Sequence, residues 1–148
     1  MIKQIIDIGA GRRENPEMLA VAQELSAQGP QALADVAAYI ESLKMNPDGV
    51  GLADDDQLGD VSEIYRQVCS ACHGPNGEGD ADEVIPLLQG QNFEYLLRQL
   101  HRIQSGLRKN SNPEMRALIS RMPEERLELL ATYISRLEPP AGKLAPYD

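Results

Sequence analysis

The stretch Val68-Cys69-Ser70-Ala71-Cys72-His73-Gly74 lies near the middle of this 148-residue chain and contains its only two cysteines. Two residues separate the thiols, and a histidine directly follows the second thiol. Residues three apart share one face of a helix, so both thiols can reach the same edge of a flat ligand. The question is which chemistry needs this arrangement.

Four interpretations fit two cysteines at this spacing. A thioredoxin-like redox pair needs a βαβ setting, and the sequence predicts no strands. A structural zinc site needs four ligands, but Cys69, Cys72, His73 and His101 are the only clear candidates and two of them are adjacent. A plain disulfide leaves the histidine unexplained. Cys-x-x-Cys-His is the attachment signature of c-type haem, with two thioethers and an imidazole nitrogen on the iron, and we favour this interpretation.

Composition and charge limit the functions that the protein can have. The formal net charge of -9 argues against binding nucleic acid or anionic lipid. The chain has no Trp and one Phe, so its core is thin, and a bound cofactor would supply apolar bulk. No apolar run reaches the length of a membrane span. Asp7 interrupts the first apolar segment too early for a signal peptide.

The apolar periodicity predicts an all-helical protein. The first helix of the cysteine-bearing part should begin at Asp60, as N-cap, and bury Val61, Ile64, Tyr65 and Val68. A second helix should follow Asn92 and end near Gly106. A third should start after the Asn112 cap, and a fourth should run from Pro123 to about Leu137.

The first third of the chain repeats the last three of these helices. Asn15-Pro16-Glu17-Met18 is identical to Asn112-Pro113-Glu114-Met115, and matching helical segments flank both copies. Such order indicates an internal repeat. We predict a partial repeat over 1–45, a linker over 46–59, a complete domain over 60–138 and an extended tail over 139–148. The repeat spacing would place a first cysteine motif upstream of Met1, so we expect the chain to begin partway through its first copy.

Haem iron needs a sixth partner or an open position. Met115 follows a capped turn from which a thioether could be presented, although methionine at helical spacing is commonly core filler. Met122 fits that filler role better. His101 would give a bis-histidine site, but its counterpart in the first copy is Ile6, so we interpret His101 as a surface or packing residue.

From Ser62 to Leu137 the sequence resembles a class I c-type cytochrome, specifically one half of the dihaem cytochrome c4 type. Residues 1 to about 43 resemble the later half of the first domain of that family. The resemblance rests on Cys69 to Gly74, Ile85 to Gln91, Tyr95 to Leu100, Gly106 with Arg108, Asn112 to Met115 and the helix from Leu127 to Leu137.

The resemblance implies the class I cytochrome c fold, preceded by a partial second copy of the same domain. It implies one haem c, bound covalently through Cys69 and Cys72, with His73 and Met115 as axial ligands. It also implies that the Pro86 carbonyl orients the His73 ring, and that Arg108 lies near a haem propionate. A carbonyl at the imidazole would select one tautomer and tune its basicity.

With both axial positions filled, the expected activity is one-electron transfer, not catalysis. By resemblance, we expect a periplasmic shuttle that carries electrons to a terminal oxidase, with membrane association only through a partner. One alternative is a cytochrome subunit of a dehydrogenase, such as a flavocytochrome. Another is a haem sensor or catalyst with an exchangeable axial position.

The incomplete first copy raises a structural expectation. The apolar pairs Ile2-Ile5 and Val36-Ile40 lack the haem that would cover them. We therefore expect this segment to pack against the second copy or to form a homodimer.

Overall fold

The computed structural model describes residues 1–45 and 49–144, and within them the chain is helical. The first three residues of the predicted linker, 46–48, and the last four residues of the predicted tail lie outside the described residues. Isolated bridges join Met45 to Leu144 and Asp80 to Ile85. The described helices are α1 (Ile2–Gly9), α2 (Pro16–Ala27), α3 (Pro30–Ser42), α4 (Asp55–Ile64), α5 (Ser70–His73), α6 (Phe93–Gln104), α7 (Pro113–Ile119) and α8 (Glu124–Ser135).

The three helices predicted after the cysteine motif are confirmed as α6, α7 and α8. The Asn112 side chain caps α7 by accepting a hydrogen bond from the Glu114 backbone N–H at 2.7 Å. Gly106 follows α6 with a φ of 75°, a conformation that glycine adopts without strain.

The predicted start of the first of these four helices is wrong. Helix α4 begins at Asp55, not after Asp60, and Asp54 forms a capping box with Gln57. The acidic residues Asp55 and Asp56 lie in the first helical turn, where the positive end of the helix dipole stabilises them. The residues predicted to be a linker therefore include the N-terminal turn of a helix.

A π-helical stretch, Tyr65–Cys69, joins α4 to α5, so the helix continues through the cysteine motif. A π turn contains more residues than an α turn and rotates the residues that follow it. Val61 and Tyr65 are buried as predicted, but Val68 is 39% exposed. The prediction for Val68 is wrong because it assumed uninterrupted α-helical periodicity.

The chain divides into two compact units, each described here by itself. The first contains Met1–Leu43 and Arg102–Arg121, and the second contains Lys44–His101 and Met122–Asp148. Helix α6 therefore contributes to both units. The domain boundaries inferred from the repeat stay predictions.

The first unit is held together by a small aliphatic core. It consists of Ile5, Ile8, Ala22 and Leu33. The side chain of Asn15 caps α2 by accepting from the Met18 backbone N–H, as Asn112 caps α7. Gly11 has a φ of 69°, close to that of Gly106, so the two copies of the repeat share this turn.

The second unit is built on the packing of α4 against α8. Leu58 and Val61 of α4 are buried, as are Leu127, Leu130 and Ile134 of α8. Their burial agrees with the apolar periodicity from which this helix was predicted, whereas Leu137, at the end of the same pattern, is half-buried. No helix in the described residues is both long and apolar enough to cross a membrane.

We predict that Leu130→Ala lowers the free energy of unfolding by about 2–5 kcal/mol, because Leu130 is 1% exposed and its loss leaves a cavity. Leu118→Ala is the matched control, since Leu118 is 45% exposed and should cost less than about 0.5 kcal/mol. Chemical denaturation of the two variants measures both values. Equal effects would contradict the assignment of Leu130 to the core.

Candidate functional site

The cysteine motif occupies the end of the long helix that begins with α4. Cys69 closes the π-helical stretch, and Ser70–His73 form the single turn of α5. Helix α5 ends at Gly74, whose φ of 81° reverses the chain. Neither cysteine takes part in a disulfide; Cys69 is half-buried and Cys72 is exposed. Burial, and secondarily the nearby Cys72, raises the pKa of Cys69 to about 11, so this group is a thiol near neutral pH.

His73 is buried, with 8% of its surface exposed. Its Nδ1 lies 3.0 Å from the carbonyl oxygen of Pro86. A carbonyl oxygen can only accept a hydrogen bond, so it selects the tautomer in which Nδ1 carries the proton. The lone pair, with which an imidazole binds a metal ion, is then on Nε2.

Gly79 brings the Pro86 segment to His73. The Gly79 backbone N–H donates to the His73 carbonyl at 2.8 Å. A Cβ atom at Gly79 would lie 2.6–2.7 Å from backbone atoms of Ile85, Pro86 and Leu87, which is closer than real Cβ contacts allow. Only glycine permits this approach, and its φ of 67° favours glycine as well. Sequence reasoning missed this residue, although the surrounding Gly-rich loop was a usable signal.

Two further contacts hold the loop that follows His73. Asp80 and Ile85 exchange backbone hydrogen bonds at 2.7 and 3.0 Å, closing the segment between them. Glu78 accepts hydrogen bonds from the backbone and the side chain of Asn76. Hydrogen bonds from its own backbone N–H and from Asn76 lower the pKa of the Glu78 carboxyl. The loop is therefore ordered by its own polar groups.

Tyr65 supports the cysteine motif from inside the protein. The residue is fully buried, and its hydroxyl donates to the Gly74 carbonyl at 2.9 Å. Its ring lies 5.3 Å from that of Tyr133 on α8, in a tilted arrangement. Burial raises the pKa of Tyr65 well above its ordinary value, so the hydroxyl stays a donor. The turn that ends the motif is thus tied to the α4–α8 core.

The other predicted site residues lie in the unit that contains residues 102–121. Met115 is half-buried in the first turn of α7. Arg108 is half-buried in the loop after α6, and its Nε donates to Asn110 Oδ1 at 3.3 Å. Met18, the counterpart of Met115 in the first copy, is 39% exposed. Met115 and Arg108 are thus both half-buried, whereas Met18 is exposed.

His101 occupies the surface position that the sequence predicted for it. Its Nε2 lies 2.6 Å from Glu124 Oε1, and its side chain is 39% exposed. Met122, predicted to be core filler, is half-buried. Neither observation favours a role at the iron.

The residues around His73 fit a covalently attached haem. Two thiols on one helical turn, one exposed and one half-buried, precede an imidazole whose Nδ1 faces a carbonyl, so that its lone pair is on Nε2. Within the described residues, no group of three or more His, Cys, Asp and Glu side chains could hold a metal ion by itself. One imidazole with a thioether is a donor set that haem iron accepts.

Comparisons with known proteins agree with this fit. Residues 56–134 match the family model described as "Cytochrome C oxidase, cbb3-type, subunit III". The chain is 32% identical to cytochrome c4 of Azotobacter vinelandii, over 93% of the chain and 71% of that protein. It is also 32% identical to the thiosulfate dehydrogenase electron acceptor of Stutzerimonas stutzeri, over 91% of the chain and 65% of that protein.

A solved structure supports the same relationship. The reduced recombinant cytochrome c4 of Pseudomonas stutzeri superimposes with a TM-score of 0.77 and 31% identity, over 93% of this chain and 79% of that chain. Sequence identity and backbone geometry therefore point to one family independently. This chain belongs to the class I c-type cytochromes of the cytochrome c4 type, which are electron-transfer proteins with a covalently attached, iron-containing haem c.

Proposed function

We propose that this protein is a one-electron carrier in which one haem c is attached through Cys69 and Cys72. His73 and Met115 would bind the iron as its two axial ligands, the Pro86 carbonyl would orient the His73 ring, and Arg108 would lie near a haem propionate. The observation that carries the proposal is the 3.0 Å contact between His73 Nδ1 and the Pro86 carbonyl, directly after the cysteine pair. It prepares the imidazole for coordination through Nε2.

The residues of the chain then have distinct tasks. When bound, haem supplies an iron that changes by one electron. Cys69 and Cys72 hold it permanently, and Pro86 fixes the tautomer and direction of the His73 ring. The thioether of Met115 would be the second ligand of the iron, and with both ligands in place the iron would have no position for oxygen or a substrate. A His/Met ligand pair also raises the reduction potential.

Met115→Ala tests the axial assignment. Because axial ligands set haem potentials over a range of about 0.8 V, we expect the midpoint potential to fall by more than about 0.1 V and the visible spectrum to change. Met122→Ala is the control, since Met122 has no assigned role at the iron. Spectroscopy and potentiometry on both variants measure the difference. An unchanged spectrum and potential in Met115→Ala would favour the alternative of an exchangeable axial position.

Gly79→Ala tests the support of His73. The added Cβ would collide with the backbone of residues 85–87 and push the Pro86 carbonyl away from the ring. We expect a higher midpoint potential, because an imidazole without its carbonyl acceptor is less basic and stabilises ferric iron less. The free energy of unfolding should fall by about 1–3 kcal/mol, because alanine is strained at this positive φ.

Gly59→Ala is the matched control for this variant. Gly59 lies inside α4, and nothing is within 4 Å of the position of an added Cβ. The substitution should stabilise the protein by about 0.5–1 kcal/mol through helix propensity and leave the potential unchanged. Equal potentials in Gly79→Ala and the wild type would remove the assigned role of the Pro86 contact.

Charge distribution supports a redox partner with a basic docking surface. Residues 44–101 and 122–148, which contain the cysteine motif, carry six Lys and Arg against sixteen Asp and Glu, a net charge of -10. Residues 1–43 and 102–121 carry eight against seven, a net charge of +1. An acidic surface speeds encounter with a basic partner and disfavours nucleic acid.

We propose a terminal oxidase or a similar respiratory complex as the acceptor, with membrane association only through that partner. The alternative is service as the cytochrome partner of a dehydrogenase, and the similarity to a thiosulfate dehydrogenase electron acceptor favours it specifically. Co-purification with a dehydrogenase would decide for the alternative. The place of action in either case is the periplasm, because haem is attached to such motifs outside the bacterial cytoplasm.

We also propose that the first repeat pairs between two chains. Ile5 lies in the core of its unit, but Ile2 is 40% exposed and Ile40 is 37% exposed, so part of the predicted apolar face is uncovered. Light scattering of the haem-loaded protein should give the mass of a dimer, and Ile40→Glu should give that of a monomer. A monomeric mass for the wild type would contradict the pairing.

A further inference from the structure

Asp7, in the last turn of α1, has the one buried carboxylate among the residues that the structure describes. Its side chain is 3% exposed. Oδ1 accepts from Arg12 Nε at 2.8 Å, and Oδ2 accepts from Lys3 Nζ and from Asn110 Nδ2. Desolvation raises the pKa of Asp7, but hydrogen bonds from Lys3, Asn110 and Arg12 outweigh it and hold the pKa at about 2. The group is therefore ionised at neutral pH.

The negative charge of Asp7 determines how the Asn110 amide is oriented. Asn110 Nδ2 donates to Asp7 Oδ2 at 2.7 Å, while Asn110 Oδ1 accepts from Arg108 Nε at 3.3 Å. An ionised carboxylate only accepts hydrogen bonds, and a guanidinium only donates them. Rotating the amide by half a turn would set oxygen against the carboxylate and N–H against the guanidinium. One orientation of Asn110 satisfies both neighbours.

Arg108 makes a backbone contact and a side-chain contact within the first unit. Its backbone N–H donates to the Arg102 carbonyl at 2.8 Å, which fixes the chain just after α6. Its Nε–H is directed by Asn110, and therefore by Asp7 on the first copy of the repeat. Three residues thus form one hydrogen-bonded series from the α1 carboxylate to the guanidinium.

The second copy of the repeat has no acid at the position that corresponds to Asp7. The alignment of Ile2-Lys3-Gln4-Ile5 with Leu97-Arg98-Gln99-Leu100 pairs Asp7 with Arg102, so the charge is reversed between the copies. Arg102 Nη1 in turn donates to the Glu14 carbonyl at 2.6 Å. An acid at position 7 is therefore not a general requirement of this helix end.

We propose that Asp7 is a positioning residue for Arg108, acting through Asn110. The carboxylate selects the orientation of the amide, and the amide directs the guanidinium. The consequence for the haem rests on the proposed function, in which Arg108 lies near a propionate. At that place, a guanidinium that is held in one direction stabilises the reduced haem through its positive charge. A guanidinium that is not held is more fully solvated, so it stabilises the reduced haem less.

Three variants of the haem-loaded chain test this proposal. Asn110→Ala removes the connecting amide, and Asp7→Asn removes the charge that orients it. Gln28→Ala is the control, because it removes an amide that bonds Glu24 on the exposed surface of the same unit. Solvent exchange of the Arg108 Nε–H, measured by NMR on the reduced protein, reports the positioning directly. Potentiometry reports its effect on the iron, and thermal unfolding shows that each variant folds.

We expect Asn110→Ala and Asp7→Asn to accelerate Arg108 Nε–H exchange by about tenfold or more, because the hydrogen bond that protects the proton is lost. Gln28→Ala should leave the exchange unchanged. In Asn110→Ala, the ratio of reduced to oxidised protein at a fixed electrode potential should fall by about threefold or more. A tenfold change in this ratio corresponds to a shift of about 59 mV in the midpoint potential of a one-electron couple.

Two results would overturn the proposal. One is an Arg108 Nε–H exchange rate in Asn110→Ala equal to that of the wild type. The other is faster exchange with an unchanged potential, which would leave Asp7 with a purely structural role. Protein without haem would refute the proposed function instead, whereas haem-loaded protein with unchanged Arg108 exchange in Asn110→Ala would refute the positioning claim alone.

Discussion

The candidate site depends on the backbone approach between the turn after His73 and the segment that contains Pro86. The Gly79 N–H bonds the His73 carbonyl, and the Pro86 carbonyl faces His73 Nδ1, so one short segment constrains both the backbone and the ring of the same residue. The approach exists because Gly79 has no Cβ. Buried hydrogen bonds such as these contribute modestly to stability, but leaving them unmade is costly. The arrangement is therefore selective for one direction of the imidazole.

The position of this segment depends in turn on the core of the second unit. Helix α4, the π-helical stretch and α5 form one continuous element, and Tyr65 joins its end to α8 through a ring contact and a hydrogen bond to Gly74. At the opposite end of the unit, Arg136 donates to Asp55 and to the carbonyls of Gly51 and Ala53. Both ends of the helix that carries the cysteine pair are thus attached to the C-terminal helix. A cofactor bound through that pair would be held by a helix that is attached to α8 at both of its ends.

Much of the helical framework could be predicted from the sequence, since periodic apolar residues and capping residues report helices locally. Helices α6 to α8 and the Asn112 cap follow from such signals. The start of α4 could not be predicted in this way, because capping-box spacing occurs twice, at Asp54 with Gln57 and at Asp60 with Glu63. The three consecutive aspartates at 54–56 also resembled a linker. Val68 was misplaced because apolar periodicity carries no sign of a π turn.

The parts of the site that depend on tertiary contacts were harder to predict from the sequence. Gly79 looks like an ordinary loop glycine until residues 85–87 are placed against it. The series from Asp7 to Arg108 joins residues about one hundred positions apart in the sequence. The repeat gives no indication of this series, because the second copy has Arg102 at the position that corresponds to Asp7. A local pattern reports which chemistry a motif can perform, whereas the residues that orient the motif depend on long-range packing.

The most direct test of the central claim is a pyridine haemochrome spectrum of the purified protein, combined with its intact mass. The protein must come from a host that can attach haem to Cys-x-x-Cys-His motifs. The account predicts a spectrum of haem joined by two thioethers and a mass that exceeds that of the polypeptide by one haem. Colourless protein with the mass of the unmodified polypeptide would contradict it.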